Sequence, residues 1–226
     1  MPVNPTWAAS LEKQLRETQE ALRQRDPAEV ALRSGARCEN VAGGTRLEIP
    51  FWRRPCFVTW PELETRDEAG RLCPAHFAGV VLQHLLLADG APFENTWVSL
   101  RNLPHGAFYE QAFQSYSGNL LVRSFRGDVE AFRAAARGLA GEQVEMGDAA
   151  FRFSVFPRLP LAVVYWSGGG EFPDSAQVLF DNSASHYHHL EILAHLGGML
   201  CERLVEFATK DSPQSAQRTQ SKSLSR

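Results

Sequence analysis

Four of the chain's seven histidines fall in one short stretch, FDNSASHYHHLEILAHLGGML, residues 180–200: His186, His188, His189 and His195. A neutral imidazole can ligate a metal, accept a proton as a general base or act as an electrophile. Read as one continuous helix turning about 100° per residue, the stretch separates the four rings rather than gathering them. His188, Glu191 and His195 share a charged face at spacings of three, four and seven, where two imidazoles and a carboxylate could hold a divalent ion. Their pattern, HxxExxxH, is not the HExxH of zinc peptidases, and a solvated helix face is the plainer reading.

On the same helical projection His186 and His189 face the body of the protein. Asp181, Asn182 and Ser183 precede them and supply N-cap chemistry. The positive end of the helix dipole disfavours imidazolium there, so both rings are expected to stay neutral near pH 7. The candidate ligand-binding set is therefore Asp181, Ser183, His186, Tyr187 and His189, joined by Glu171 from the preceding loop. As metal ligands, His186 and His189 rank ahead of His188, Glu191 and His195. The competing reading is a pair of core histidines bonded to backbone carbonyls.

Other reactive residues carry weaker signals. His84 shares a helical face with Phe77, Val80 and Val81 and reads as a satisfied core residue. Cys73 and His76 lie three apart at a helix start, where the dipole would favour a thiolate. His105 precedes a helix with Tyr109 one turn on, an arrangement fit for an anion or for a simple turn. The glycine-rich SGGGEFP, 167–173, matches neither the Walker pattern nor GxGxxG and reads as a flexible turn. Cys38, Cys56, Cys73 and Cys201 form no CxxC pair, so neither a zinc ribbon nor a dithiol site is indicated. No GxSxG elbow or kinase signature occurs.

The elements that must position these residues can be read from apolar spacing. Residues 7–24 form an amphipathic helix, with Trp7, Leu11, Leu15, Thr18 and Leu22 on one side, which must dock on its own domain or on a second copy. DPAEVALRSGA follows with Asp26 as N-cap, Pro27 in the first turn and Gly35 as stop. TRLEIPF and CFVTW are two strands around WRRP, a hairpin. Residues 74–90 form an almost wholly apolar central helix. A short strand over 96–100 and a helix over 104–125, weakened by Gly118, come next. Asp128 caps a further helix. AFRFSVF alternates like a half-buried strand, LAVVYW is continuously apolar and buried on both faces, and QVLFD is a short strand leading into the histidine stretch.

Helices and strands mix without a βαβα rhythm. The expected fold class is α+β, a small, mainly antiparallel sheet covered by several helices in a single domain. The N-terminal helix takes 1–25, the domain 26–207, and 208–226 reads as a disordered tail. With 226 residues, 44% hydrophobic, the chain has material for one sizeable core. A formal charge of -3 argues against nucleic acid as a partner. The absence of an apolar run of about 18 residues argues against a membrane partner. The N-terminus turns charged too early for a signal peptide, so a cytoplasmic location is expected.

Several motifs carry a family resemblance: Gly147-Asp148, FPRLPL, EFPDSAQVLFD and SASHY, with DPAEVALRSGA and WVSLRNLPHGAFY upstream in the same order. In these the chain resembles a bacterial and archaeal domain-of-unknown-function family, number 3786, over roughly 5–207. The resemblance carries over no catalytic residue and names no cofactor. It implies an accessory or cofactor-handling role, since relatives can carry a cysteine-rich iron–sulfur-type segment alongside corrinoid or one-carbon metabolism. This chain lacks such a segment, and it has SGGGEF where relatives show a more acidic turn.

Three functions fit these readings. The first is a protein binding a small molecule, cofactor or metal at the start of the histidine helix. The second is an enzyme using His186 or His189 as general base with Arg158, His105 or Tyr109. The third is an interaction protein that dimerises through helix 7–24.

Overall fold

A computed structural model describes residues 5–170 and 172–210, with side chains from residue 13 onward. The fold is α+β, with two mainly antiparallel sheets and covering helices. Its contacts group the chain into two compact units. The first takes the chain up to Thr96 together with 154–160 and 181–192, and the second takes 97–153, 161–180 and the chain from Leu193.

In the first unit, α1 (Pro5–Arg23) packs along α3 (Ala75–Leu87). Leu22 and Thr18 are buried and Leu15 is half-buried, so this part of the amphipathic helix docks on its own unit; the side chains of Trp7 and Leu11 lie outside the described residues. α2 (Pro27–Ser34) is punctuated as its sequence dictates. Asp26 accepts the Ala28 N–H at 3.1 Å, and Gly35 takes φ 78°, the left-handed region that favours glycine. A four-stranded sheet follows in the order β1 (Arg37–Val41), β2 (Gly44–Phe51), β3 (Arg54–Trp60), β4 (Thr65–Arg66). β2 and β3 are the expected hairpin, closed by Trp52 and Arg53 at φ 50° and 65°, the two left-handed positions of a two-residue turn. β1 was not expected. It is exposed along its whole length, so it lacks the apolar alternation that marks a strand.

Leu47, Ile49, Phe51 and Val58 bury one face of this sheet. Phe51 stacks on Phe156 with ring centroids 4.7 Å apart and meets Phe77 of α3 edge-on at 4.6 Å. α3 is thus an internal helix, as its nearly all-round apolar sequence implies.

The second sheet has the order β5 (Trp97–Ser99), β9 (Ser175–Asp181), β8 (Leu159–Trp166), β7 (Ala149–Phe156), β6 (Glu142–Val144). Within the second unit, Val163, Val164 and Tyr165 of β8 are fully buried, matching the unbroken apolar run. Tyr165 stacks on Phe132 of α6 (Val129–Gly138) and accepts the Gly127 N–H at 2.9 Å through its hydroxyl. The helix expected over 104–125 is broken into α4 (Glu110–Tyr116) and α5 (Gly118–Phe125). Gly118 explains the break: a Cβ there would sit 2.0 Å from the Ala176 carbonyl oxygen, so the chain passes strand β9 closer than a side chain permits. α7 (Leu190–Lys210) closes the described chain. Residues 208–210, expected in the tail, belong to this helix, and the rest of the tail lies outside the described residues.

Candidate functional site

The histidine stretch lies where β9 meets α7, and its local structure differs from the continuous helix its spacing suggests. Residues 182–186 form a 3-10 turn, 187–189 are irregular, and the α-helix begins only at Leu190. The turn is dictated by Asp181, which accepts the Ser183 N–H at 3.1 Å and caps it. Asn and Ser residues that bond locally to backbone favour such turns over a helix interior. A 3-10 turn advances about 120° per residue rather than about 100°, and the irregular link adds a further offset. The helical projection upstream of Leu190 is therefore wrong, and the three rings before α7 take environments opposite to those it assigns.

His188, expected in water, is buried with 2% exposure, while His186, expected inward, is exposed. His189 is exposed as well. Only His195 and Glu191, which lie within α7, have the exposure the projection assigned them. His188 accordingly shares no face with Glu191. Among the described residues no group of three or more His, Cys, Asp or Glu side chains is placed to hold a metal ion.

The ligand-binding candidates divide by what they touch. Asp181 has no exposure and serves the backbone. Its carboxylate accepts the N–H of Glu94 at 3.1 Å and of Thr96 at 3.2 Å, besides the N–H and hydroxyl of Ser183. Tyr187 is buried and donates its hydroxyl to the Ala91 carbonyl, and burial raises its phenol above the ordinary range. Asp181 and Tyr187 thus hold the 91–96 segment in place, and Ser183 supports Asp181. Glu171 lies outside the described residues.

His186 bonds through Nδ1 to Asp89 at 2.6 Å, and this bond holds the Asp89 carboxyl below the usual carboxylate range. An aspartate orienting one ring nitrogen is what a general base needs. Among the described residues, however, no hydroxyl or thiol bonds to its other nitrogen. Arg158 donates to the Gly90 carbonyl at 3.0 Å and so also braces the 89–91 turn.

The ring expected to be a satisfied core residue is the least satisfied. His84 is fully buried and stacks on Phe156 with centroids 3.9 Å apart and planes 11° from parallel. His188 lies 5.2 Å from it, tilted by 41°, and Tyr187 lies 5.5 Å away on a nearly parallel plane. Neither nitrogen of either histidine has a hydrogen-bond partner among the described residues. The Ser34 backbone carbonyl makes a weak polar contact with His84 that opposes the effect of burial slightly. Burial dominates: it pushes His84 down to about 3 and holds His188 well below the ordinary histidine range, so both rings are neutral at pH 7. Each buried, unpaired polar atom costs about 1–3 kcal/mol. The sequence signal for this pair was a histidine set in the apolar face of α3.

A groove of about 310 Å³ opens elsewhere in the same unit, between α1, α3 and the 189–192 segment. Glu17, Gln14 and Thr18 line it from α1, Gln83 from α3, and His189 and Glu191 from the third side. Leu86 and Ile192 supply apolar surface. The Gln83 side-chain oxygen is buried and has no hydrogen-bond partner among the described residues. Of the sequence candidates, this groove gathers only His189 and Glu191. Its α1 and α3 members were missed because polar residues on helices read as ordinary solvent faces until the helices are packed.

The remaining weak signals resolve as structure. Cys73 is raised above the ordinary thiol range by burial and by Asp67, and burial pushes Cys56 up to about 12, so neither is an activated thiolate. His105 sits at φ 65° before a single short 3-10 turn. In the second unit, Asp148 and Asp174 bond the backbone N–H groups of Ser167 and Gly168 at 2.7 and 3.0 Å. A Cβ on Gly168 would lie 1.6 Å from the Phe172 carbonyl oxygen, so its glycine is required by the turn.

These features define an α+β protein with a polar surface groove and a buried histidine pair, without an assembled catalytic triad or a metal cluster among the described residues. The chain belongs to the domain-of-unknown-function family DUF3786, whose family model matches residues 26–203. Neither the curated proteins nor the solved structures contain a match. No described helix is long and apolar enough to cross a membrane.

Proposed function

We propose that the protein binds a small, donor-rich organic cation in the groove between α1, α3 and the 189–192 segment. The observation that carries this reading is the lining: two carboxylates and an imidazole meet over a patch of apolar surface. Acceptors dominate, so the complementary ligand donates hydrogen bonds and carries positive charge. The volume suits a compact molecule, at the lower end of the range typical of small-ligand sites. Glu17 is also paired with Lys13 at 3.7 Å, but both side chains are largely exposed, and such a pair yields readily to a ligand.

Thermal-shift titration with putrescine and agmatine, with citrate as an anionic control, tests the reading. A ligand at about 100 times its Kd adds about 2.7 kcal/mol of stability, a readily measured rise in Tm. The amines should raise Tm and the combined Glu17→Gln, Glu191→Gln variant should abolish the rise. No rise with either amine, or an equal rise with citrate, refutes the cation site.

A further inference from the structure

We propose that the free edge of β1 pairs with the same edge of a second copy of this chain, antiparallel and in a register centred on Cys38. This surface lies apart from the groove and does not rest on the reading given to it.

The hairpins fix which backbone groups of β1 are free. β2 and β3 are joined by the two-residue turn of Trp52 and Arg53, so Phe51 and Arg54 are its hydrogen-bonded closing pair. Bonded and non-bonded pairs alternate along an antiparallel ladder. The odd-numbered residues of β2 therefore bond to β3, and the even-numbered Gly44, Arg46 and Glu48 bond to β1. Their partners there are Val41, Glu39 and Arg37. The backbone N–H and C=O groups of Cys38 and Asn40 thus point away from the sheet, without a backbone partner among the described residues.

Sheet edges are ordinarily blunted by shortness, proline, a bulge or charge. The opposite edge of this sheet, β4, is two residues long. β1 has five residues, no proline, an unbroken register with β2 and full exposure. Its two charges, Arg37 and Glu39, are of opposite sign, so they repel in one alignment and attract in another.

Charge complementarity chooses the occupant and the register. Two β1 strands can meet with Cys38, Glu39 or Asn40 on the two-fold axis. Centred on Glu39, they set like charges directly opposite. Centred on Asn40, Arg37 falls opposite Gly43 and Glu39 opposite Val41, and neither charge is answered. Centred on Cys38, Arg37 of each copy faces Glu39 of the other. These are non-bonded positions, where Cα atoms stand about 4.5 Å apart and side chains are closest. Glu39 already pairs with Arg46 at 2.8 Å, while Arg37 has no ion-pair partner among the described residues. A row running from one copy into the other then reads Glu48, Arg37, Glu39, Arg46, alternating in sign, and the two-fold axis repeats it. Exposed ion pairs add little affinity, so they set the register while the backbone bonds join the sheets.

A paired strand of this length makes a small interface, so the full chain is followed by sedimentation from micromolar to millimolar concentration. The native chain should dimerise. Arg37→Glu and Glu39→Arg each place like charges opposite in this register, and each should weaken the dimer about tenfold or more, with folding checked by circular dichroism. An equimolar mixture of the two variants restores both attractive pairs and should dimerise as strongly as the native chain. A native chain that stays monomeric, a dimer indifferent to either variant, or a mixture that does not recover overturns the pairing. If a variant does not fold, a short bis-maleimide on the native chain decides, since Cys38 is the exposed one of the four cysteines. A link between two Cys38 residues, lost in Cys38→Ser, supports the pairing, and the absence of linked dimer overturns it. The amine titration bears on the groove alone, so the two readings fail separately.

Discussion

Asp181 and the His84–His188 pair are both buried polar groups in the first unit, and they are treated in opposite ways. The Asp181 carboxylate takes four hydrogen bonds from three residues and is fully satisfied. The two imidazoles are as deeply buried and make none among the described residues. A satisfied buried charge is a structural rivet that ties distant backbone together. An unsatisfied neutral pair lowers stability and ties no distant segments together. Burial alone therefore does not mark a scaffold group, whereas hydrogen-bond accounting does.

Breaking the satisfied member should have the largest effect. Asp181→Ala removes an acceptor from the Glu94 and Thr96 N–H groups and uncaps the 182–186 turn. A loss of about 4 kcal/mol is expected in urea denaturation, in the range for broken buried networks. A loss below about 1 kcal/mol would mean that Asp181 is not the rivet this contrast requires.

The unsatisfied pair predicts acid sensitivity. His84 is held at about 3 in the folded state, against about 6.5 when unfolded. The unfolded chain therefore binds more protons, and stability is present in full above about pH 6.5 and lost as pH falls toward 3. His84 alone accounts for about 3 kcal/mol between pH 7 and pH 4, and His188 acts in the same direction. His84→Phe should flatten the pH profile and leave stability at pH 7 unchanged or higher, because an apolar ring removes two unpaired nitrogens. A steep acid profile that persists unchanged in this variant would shift the cause to other groups.

Tyr187 borders both regions, stacked near His84 while its hydroxyl bonds the Ala91 carbonyl. Tyr187→Phe keeps the ring and deletes the hydroxyl, with its bond to Ala91 and its contact with Arg158, so a loss of about 1 kcal/mol is expected from thermal or urea unfolding. A loss several times larger would show that the hydroxyl organises the whole 89–96 segment.

Much of the scaffold was legible from local chemistry. The β2–β3 hairpin, the cap and stop of α2, the internal α3 and the doubly buried β8 all follow from apolar spacing and turn residues. β1 was not legible, because an exposed edge strand needs no apolar face. The histidine assignments failed for a definite reason. A 3-10 turn and an irregular link have a different angular step from an α-helix, and a period carried across them inverts inside and outside. His84 was half legible: its apolar face was visible, but the rings of Phe156 and Tyr187 that seal it come from distant parts of the chain. The groove depends wholly on tertiary packing, since Glu17 and Gln83 meet only once α1 lies along α3.

The smallest expected effect belongs to the most suggestive-looking contact. His186 and Asp89 pair at 2.6 Å with side chains 47% and 51% exposed. Solvent screening leaves such pairs worth at most about 0.5–1 kcal/mol. Asp89's carboxyl is held low by this bond, so its contribution is present above the ordinary carboxylate range and lost as pH falls through it. That is the same direction as the buried histidines, which makes His186→Ala the sharpest control. The variant should lose less than about 0.5 kcal/mol at pH 7 and retain nearly all of the acid profile. If instead it flattens the profile as strongly as His84→Phe does, the exposed pair is the acid-sensitive element, and the contrast between the satisfied and unsatisfied buried groups loses its principal support.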